Sequence, residues 1–414
     1  MTPLKKSIII CKKIIIYFSN ELLNIIIPII FLPIRFLYCK PNVIIIQTYS
    51  LFRYGGNPRY LYEYLSDNTE YNVYWVTESK EIKQYLDQKG YKYISSNNIF
   101  KKFLVTWSAK IIIDSGSSFY DFYNLISPRA IKICTMHGSG PKLTTFKYQN
   151  LAKTISFIKK IHRFDYFSFC TEHAKMMVGK NQFLLHSDKM VTLGAPKCDQ
   201  FYNEALIINN YSKKKYINSI IQDFDPKGKV IYYIPTYRSY PYKLPILELE
   251  GFNEDKFNNF LEKENLYFVY SEHSMSSFTD TLNNNKRIIF FNSNDFPLLD
   301  NNQLSMEVDL FIGDYSTLST DIAIMKKPQL FVIPDYDKLK STKGFTEDFR
   351  SIMPGPEIKS YSNLINNITR YLSNPSFYKK EYVNNINILL ERYMNPSIKN
   401  SCKLFKDFID ERIK

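Results

Sequence analysis

A chain of 414 residues is too long for one ordinary hydrophobic core and suits two domains of roughly 150 to 200 residues each. With 45% hydrophobic and 23% charged residues it is globular, and a net charge of +14 points to an anionic membrane or an anionic substrate. Nucleic acid ranks last among such partners, because the lysines are spread along the chain and no nucleic-acid recognition motif occurs.

The chain opens with a strongly apolar block, Leu4 to Cys39, marked by Lys5, Lys6, Lys12, Lys13, Glu21 and Arg35. Its longest uncharged run, Leu22 to Ile34, contains Pro28 and Pro33. As a helix that run spans about 20 Å, short of the roughly 30 Å hydrocarbon core. Lys6, Lys13, Asn20 and Asn24 share one face at helical spacing, opposite the isoleucines. That pattern suits an amphipathic helix lying on an anionic membrane. An internal helix and a true span stay open as alternatives. No small-residue cleavage site follows, which speaks against a removed signal peptide.

From residue 41 onward, short apolar runs alternate with helical patterns. Val43 to Gln47, Val73 to Val76, Ile111 to Asp114, Ala130 to Met136, Tyr166 to Cys170 and Val191 to Leu193 read as strands. Helices open at Pro58 and Glu172. After a polar stretch, Asn209 to Lys229, a second series begins with Val230 to Ile234. It continues through Leu266 to Tyr270, Arg287 to Phe291, Asp309 to Ile312 and Gln329 to Ile333. Helices are expected near Glu254 to Glu264, Tyr361 to Leu372 and Ser397 to Ile413. Alternation of this kind implies an α/β protein with two parallel, doubly wound sheets. The expected division is a membrane-associating segment (1–40), an acceptor-side domain (41–208), a donor domain (209–380) and terminal helices (381–414). Ligands belong at the carboxyl ends of the strands, in the cleft between the two units.

The six cysteines occur singly, and none of the five histidines forms a metal-ligand pattern. A reducing compartment is expected, with no structural zinc and no required cofactor; a divalent cation is compatible.

Polar residues recur where strands end. His137, Gly138, Ser139 and Lys142 follow one strand of the first unit; Thr236 and Arg238 follow a strand of the second. Glu272 and His273 follow the next, and Asp314, Ser316 and Thr317 follow Asp309–Ile312. This last turn opens a helix, whose free N–H groups and dipole suit a phosphate, although it has neither a Walker lysine nor a dinucleotide glycine fingerprint. A strand-end histidine suits a general base for an alcohol, and Arg238 suits a bidentate grip on phosphate. Each has a plainer role too: Ser316 and Thr317 as helix caps, His137 in a turn, Arg238 paired with a carboxylate across the interface. Asp321 and Lys327 suit a solvated helix face, and His162, His173 and His186 suit surface or packing positions.

Several ordered blocks resemble the CDP-glycerol glycerophosphotransferase family, the teichoic-acid primases and polymerases and related capsule enzymes. G-D-Y-S-T-L-S-T-D-I-A-I-M-K-K-P resembles the family's T-D-Y-S-S block with its trailing K-K-P. N-P-R-Y-L-Y-E-Y-L, from Asn57, resembles N-P-K-Y-I-Y-E-Y-L, and L-G-A-P-K-C-D resembles G-Y-P-R-N-D. Y-I-P-T-Y-R resembles Y-A-P-T-W-R, and G-F-T-E-D-F followed by P-G-P also fits. The resemblance covers roughly residues 42 to 375.

The resemblance implies a GT-B-like fold, a CDP-alditol donor and transfer of an alditol phosphate to a lipid-linked or polymeric hydroxyl at the inner membrane face. It makes His137 the base and places His273 near the donor pyrophosphate. Asp314, Ser316 and Thr317 become the donor turn. From their strand-end positions Thr236, Arg238 and Glu272 are expected to join it at the donor, and Gly138, Ser139, Lys142 and Asn57 are expected on the acceptor side. Two motifs depart from the family: H-G-S-G-P-K displaces the proline of H-G-T-P-x-K, and His273 stands in S-E-H-S-M instead of K-x-H-P. The rival readings are a GT-B sugar transferase and a non-catalytic membrane-bound subunit that holds a polymer. A homo-oligomer is compatible with the sequence.

Overall fold

The computed structural model describes residues 40–95, 99–116, 126–143, 151–236, 238, 242–272, 278–342 and 344–413. The N-terminal apolar segment and His273 lie outside the described residues. Among the described residues, no helix is long and apolar enough to cross a membrane.

The first lobe is a parallel sheet of β1 (Lys40–Ile46), β2 (Asn72–Val76), β3 (Lys92–Ile94), β4 (Ala109–Asp114), β5 (Ile131–Cys134), β6 (Tyr166–Phe169) and β7 (Met190–Thr192). Their spatial order is β3-β2-β1-β4-β5-β6-β7. The second lobe carries β8 (Lys229–Tyr233), β10 (Leu266–Tyr270), β12 (Ile288–Phe290), β13 (Leu310–Gly313) and β14 (Gln329–Phe331), in the order β12-β10-β8-β13-β14. Two short strands, β9 (Tyr242–Lys243) and β11 (Phe278–Asp280), pair beside it. Every pairing in both main sheets is parallel. Buried apolar runs such as Ile44–Ile46 and Tyr267–Val269 form these strands because helices cover both sheet faces.

In each sheet the winding reverses beside its first strand, between β1 and β4 and between β8 and β13. At such a reversal, outside the strands' carboxyl ends, an open α/β sheet generally receives its ligand.

The lobes are interlocked by the Gly56–Asn68 helix. Its Arg59 donates to the Leu298 carbonyl at 2.8 Å and to Gln303 at 2.9 Å in the second lobe. Asp300 accepts from the Gly56 N–H at 3.2 Å and caps its own helix through a reciprocal bond with Gln303. Cys170, Ala195, Cys198 and Phe201 of the first lobe belong to the same apolar cluster as Ile231 and Leu310 of the second. The Ser401–Ile413 helix returns in the opposite sense: Phe405, Phe408 and Ile409 pack with Ile44, Leu61 and Trp75 in the first lobe's core.

Two residues expected on a solvated face are drawn into the protein instead, Lys327 in part and Asp321 wholly. Lys327 donates to the carbonyls of Ser305, Met306 and Val308, at 2.9, 2.7 and 2.7 Å, where the Asn301–Glu307 helix ends. Its ammonium satisfies carbonyls left open at that C-terminus, while burial pushes its pKa down to about 7. Asp321 is fully buried at the lobe interface. A helical spacing that mixes charges with apolar residues hid both, because their partners lie on other elements.

Candidate functional site

Four turns converge at the carboxyl ends of the strands. After β5 the backbone turns sharply at Met136, whose φ is +54°. This left-handed conformation is uncommon for a residue with a side chain and marks a turn held by its surroundings. It delivers His137 to solvent at the crevice. The Asp114–Gly116 turn after β4 lies alongside, close enough that a Cβ on Gly116 would sit 3.9 Å from His137 Nδ1.

Across the crevice, β13 ends in Asp314, Tyr315, Ser316 and Thr317, and the helix Leu318–Ile324 follows. Ser316 Oγ accepts from the Leu318 N–H at 3.3 Å. Thr317 occupies the N-cap position without a side-chain capping bond. Both are half-buried.

The two turns pack directly on one another. A Cβ built on Gly138 would stand 2.6 Å from Thr317 Oγ1, and one on Gly140 would stand 3.1 Å from Thr317 Cγ2. Thr320 Oγ1 donates to the Ser139 carbonyl at 3.4 Å. Beyond Pro141, the Lys142 backbone forms an antiparallel bridge with Phe345, and Thr346 N–H donates to the Pro141 carbonyl at 2.7 Å. Hydrogen at position 138 is therefore a requirement of close approach. Gly138→Ala should force Thr317 aside, an overpacking cost of about 1–3 kcal/mol. We expect kcat/KM of the folded variant to fall roughly 10- to 100-fold. An unchanged kcat/KM would show that this contact does not bear on the site.

Arg238 does not face the crevice as a phosphate grip. Its side chain is fully buried, with NH1 2.8 Å from Asp314 Oδ2 and Nε 2.6 Å from Asp335 Oδ2. NH1 also donates to the Thr236 carbonyl at 2.6 Å. Burial opposes its charge, but Asp314 and Asp335 overcome that penalty and raise its pKa. Arg238 is paired with carboxylates, but both belong to its own lobe and not to the facing one.

Asp314 and Thr236 are also framework. The fully buried Asp314 carboxylate accepts from the Thr236 N–H, at 3.0 and 2.8 Å, and from the Thr236 hydroxyl. Tyr315 joins them by donating to Asp335 at 3.1 Å. This network fixes the floor on which Ser316 and Thr317 stand.

Asn57 likewise belongs to the framework and not to an acceptor pocket. Its buried amide donates to the carbonyls of Thr135 and Met136, at 3.0 and 2.9 Å, and accepts from Lys197 N–H at 3.2 Å. Ser139 is buried in the lobe interface, so its hydroxyl does not present an open acceptor surface. Glu272 is half-buried just beyond β10, and burial raises its carboxyl above the usual range.

Sequence reasoning missed Asp335, Lys197 and Asp321. Lys197 and Asp321 form an ion pair across the lobes, with side chains 6% and 1% exposed. Lys197 stood inside the quoted G-A-P-K-C-D block, which was the one available signal. His173 keeps a packing role, edge-on to Tyr393 with ring centres 5.3 Å apart and 3.6 Å from Glu347 of the second lobe. Burial, with Arg392 nearby, lowers its pKa. Among the described residues no cluster of three or more His, Cys, Asp or Glu is placed to hold a metal ion.

The fold is similar to that of the wall teichoic acid polymerase TagF, with a TM-score of 0.70 at 18% identity, covering 96% of this chain and 97% of that one. The teichoic acid poly(glycerol phosphate) polymerase of Bacillus subtilis (strain 168) is 25% identical over 368 residues, 82% of this chain. The chain spans 45% of that polymerase's length. The teichoic acid glycerol-phosphate primase of the same organism is 24% identical over 325 residues, 76% of this chain and 77% of its own length. The model of the CDP-glycerol:poly(glycerophosphate) glycerophosphotransferase family matches residues 30–394, and the chain belongs to that family.

Proposed function

We propose that the protein transfers an alditol phosphate, glycerol phosphate first among the choices, from a CDP-alditol to a hydroxyl of a lipid-linked or polymeric acceptor. The product chemistry is that of teichoic acid or capsule-type polymer synthesis. The observation that carries this reading is the packing of the His137 turn against the Ser316–Thr317 turn. That contact brings the turn carrying exposed His137 against the turn that opens the Leu318–Ile324 helix, and family membership supports a CDP-glycerol donor.

In the proposed step the acceptor oxygen attacks the alditol-bearing phosphorus in line. The bond from that phosphorus to the bridging oxygen breaks, CMP leaves with the electron pair, and His137 takes the acceptor proton. Ser316, Thr317 and the N–H groups of their helix face the developing phosphate charge. Positioning and charge stabilisation supply most of the acceleration in such transfers. No cofactor is required by this scheme, although a divalent cation could share the pyrophosphate charge. The N-terminal apolar segment with its lysines supports action as a peripheral protein on the cytoplasmic face of the membrane, near a lipid-linked acceptor.

The test is to incubate the purified full chain with CDP-glycerol and, separately, CDP-ribitol, using membranes as the acceptor source. The expected products are CMP and a new phosphodiester. Absence of CMP from both donors, or release of a nucleoside diphosphate from a nucleotide sugar, would overturn the proposal. The second outcome would favour the sugar-transferase rival.

A further inference from the structure

Three consecutive backbone carbonyls lead into the His137 position, and side chains from elsewhere hold all three. Asn57 binds those of Thr135 and Met136. Lys197 donates from Nζ to that of His137 at 3.1 Å, and Asn57 in turn accepts the Lys197 N–H. The Lys197 ammonium is almost wholly enclosed, so it needs an anion at hand.

That anion comes from the opposite lobe. Asp321 lies one turn into the helix that begins just after Ser316 and Thr317. Asn302 donates to Asp321 Oδ2 at 3.1 Å, and the Cys198 thiol donates to Oδ1 at 3.4 Å, so the carboxylate is itself held in place. Burial works against the charge of Lys197, while Asp321 overcomes it and raises its pKa. A cation thus ties the backbone of one crevice wall to the helix of the other.

We propose that Lys197 is a positioning residue that sets the register between His137 and the Ser316–Thr317 turn, with Asp321 as its anchor on the donor wall. The inference rests on the role given to His137 above. Lys197 touches no reacting atom; it acts through the His137 carbonyl. Displacing a catalytic group by about 1 Å can cost on the order of 10²-fold in rate, and among the contacts that join the two lobes this tether is the one that ends on the His137 carbonyl.

The test combines Lys197→Met, Lys197→Arg and His137→Ala, alone and together. Lys197→Met should lower kcat roughly 10²-fold while leaving the CMP dissociation constant within about twofold. Lys197→Arg, which retains the cation, should recover kcat to within about 10-fold of the parent. In the His137→Ala background, Lys197→Met should cost less than about threefold, because the group it positions is gone. A merely structural lysine would give the same loss in both backgrounds, and that result would overturn the proposal.

Hydrogen exchange gives an arm independent of chemistry. Lys197→Met should speed exchange at the Gly138–Gly140 and Ser316–Thr320 amides and leave β1 and β8 unchanged. Unchanged exchange at both turns would also overturn the tether. Faster exchange together with full activity of His137→Ala would retain the tether and remove the proton-transfer role of His137. Should Lys197→Met fail to fold, Asp321→Asn makes the same comparisons from the opposite wall.

Discussion

His137→Ala should lower kcat by about 10²–10⁴-fold, the range that a lost general base typically costs, while CMP binds within about twofold of the parent affinity. The backbone of this turn is held by Asn57 and Lys197 through carbonyls, and its imidazole is exposed. On the proposed mechanism, removing the ring takes away proton transfer and leaves the wall standing. Timed CMP release gives kcat, and calorimetric titration with CMP gives the affinity. Full turnover in the folded variant would remove the imidazole from the reaction.

Arg238→Met should destabilise the second lobe by about 3–5 kcal/mol, the usual consequence of leaving buried charge without its partner. Asp314 would remain enclosed, and Asp335, 16% exposed, would lose its closest cation. Thermal unfolding should show a clearly lowered transition. Arg238→Met with Asp314→Asn should be less damaging than the sum of the two single changes, since the pair is removed together. A variant with unaltered unfolding but lost CMP binding would reverse the assignment and make Arg238 a donor ligand.

The strand pattern was legible because parallel strands covered on both faces are written as short apolar runs. Leu266–Tyr270 lies where its run of aromatic and branched residues places it. Terminal helices were expected from 381, but the helix Pro375–Tyr393 starts earlier: its proline reads as a break, and its surface is rich in asparagine. Proline at that first position lacks only an N–H that has no partner within the helix anyway.

Which polar residues sit at strand ends could also be read, since a parallel sheet collects those ends along one edge. Whether a side chain turns outward could not. Arg238 finds Asp335 almost a hundred positions later, and Lys197 finds Asp321 at a separation of 124. Burial at these places is created by the second lobe, and no local spacing records it.

The Ser401–Ile413 helix has a consequence for biogenesis. Phe405, Phe408 and Ile409 complete an apolar face whose strands end at Thr192, about 200 residues earlier in synthesis. At roughly 5–20 residues per second, the nascent amino-terminal half waits on the order of 10–40 s with that face unsealed. Throughout that interval it is a client for chaperones, and early termination leaves a sticky, unfinished polypeptide where a self-sufficient half-enzyme would otherwise emerge.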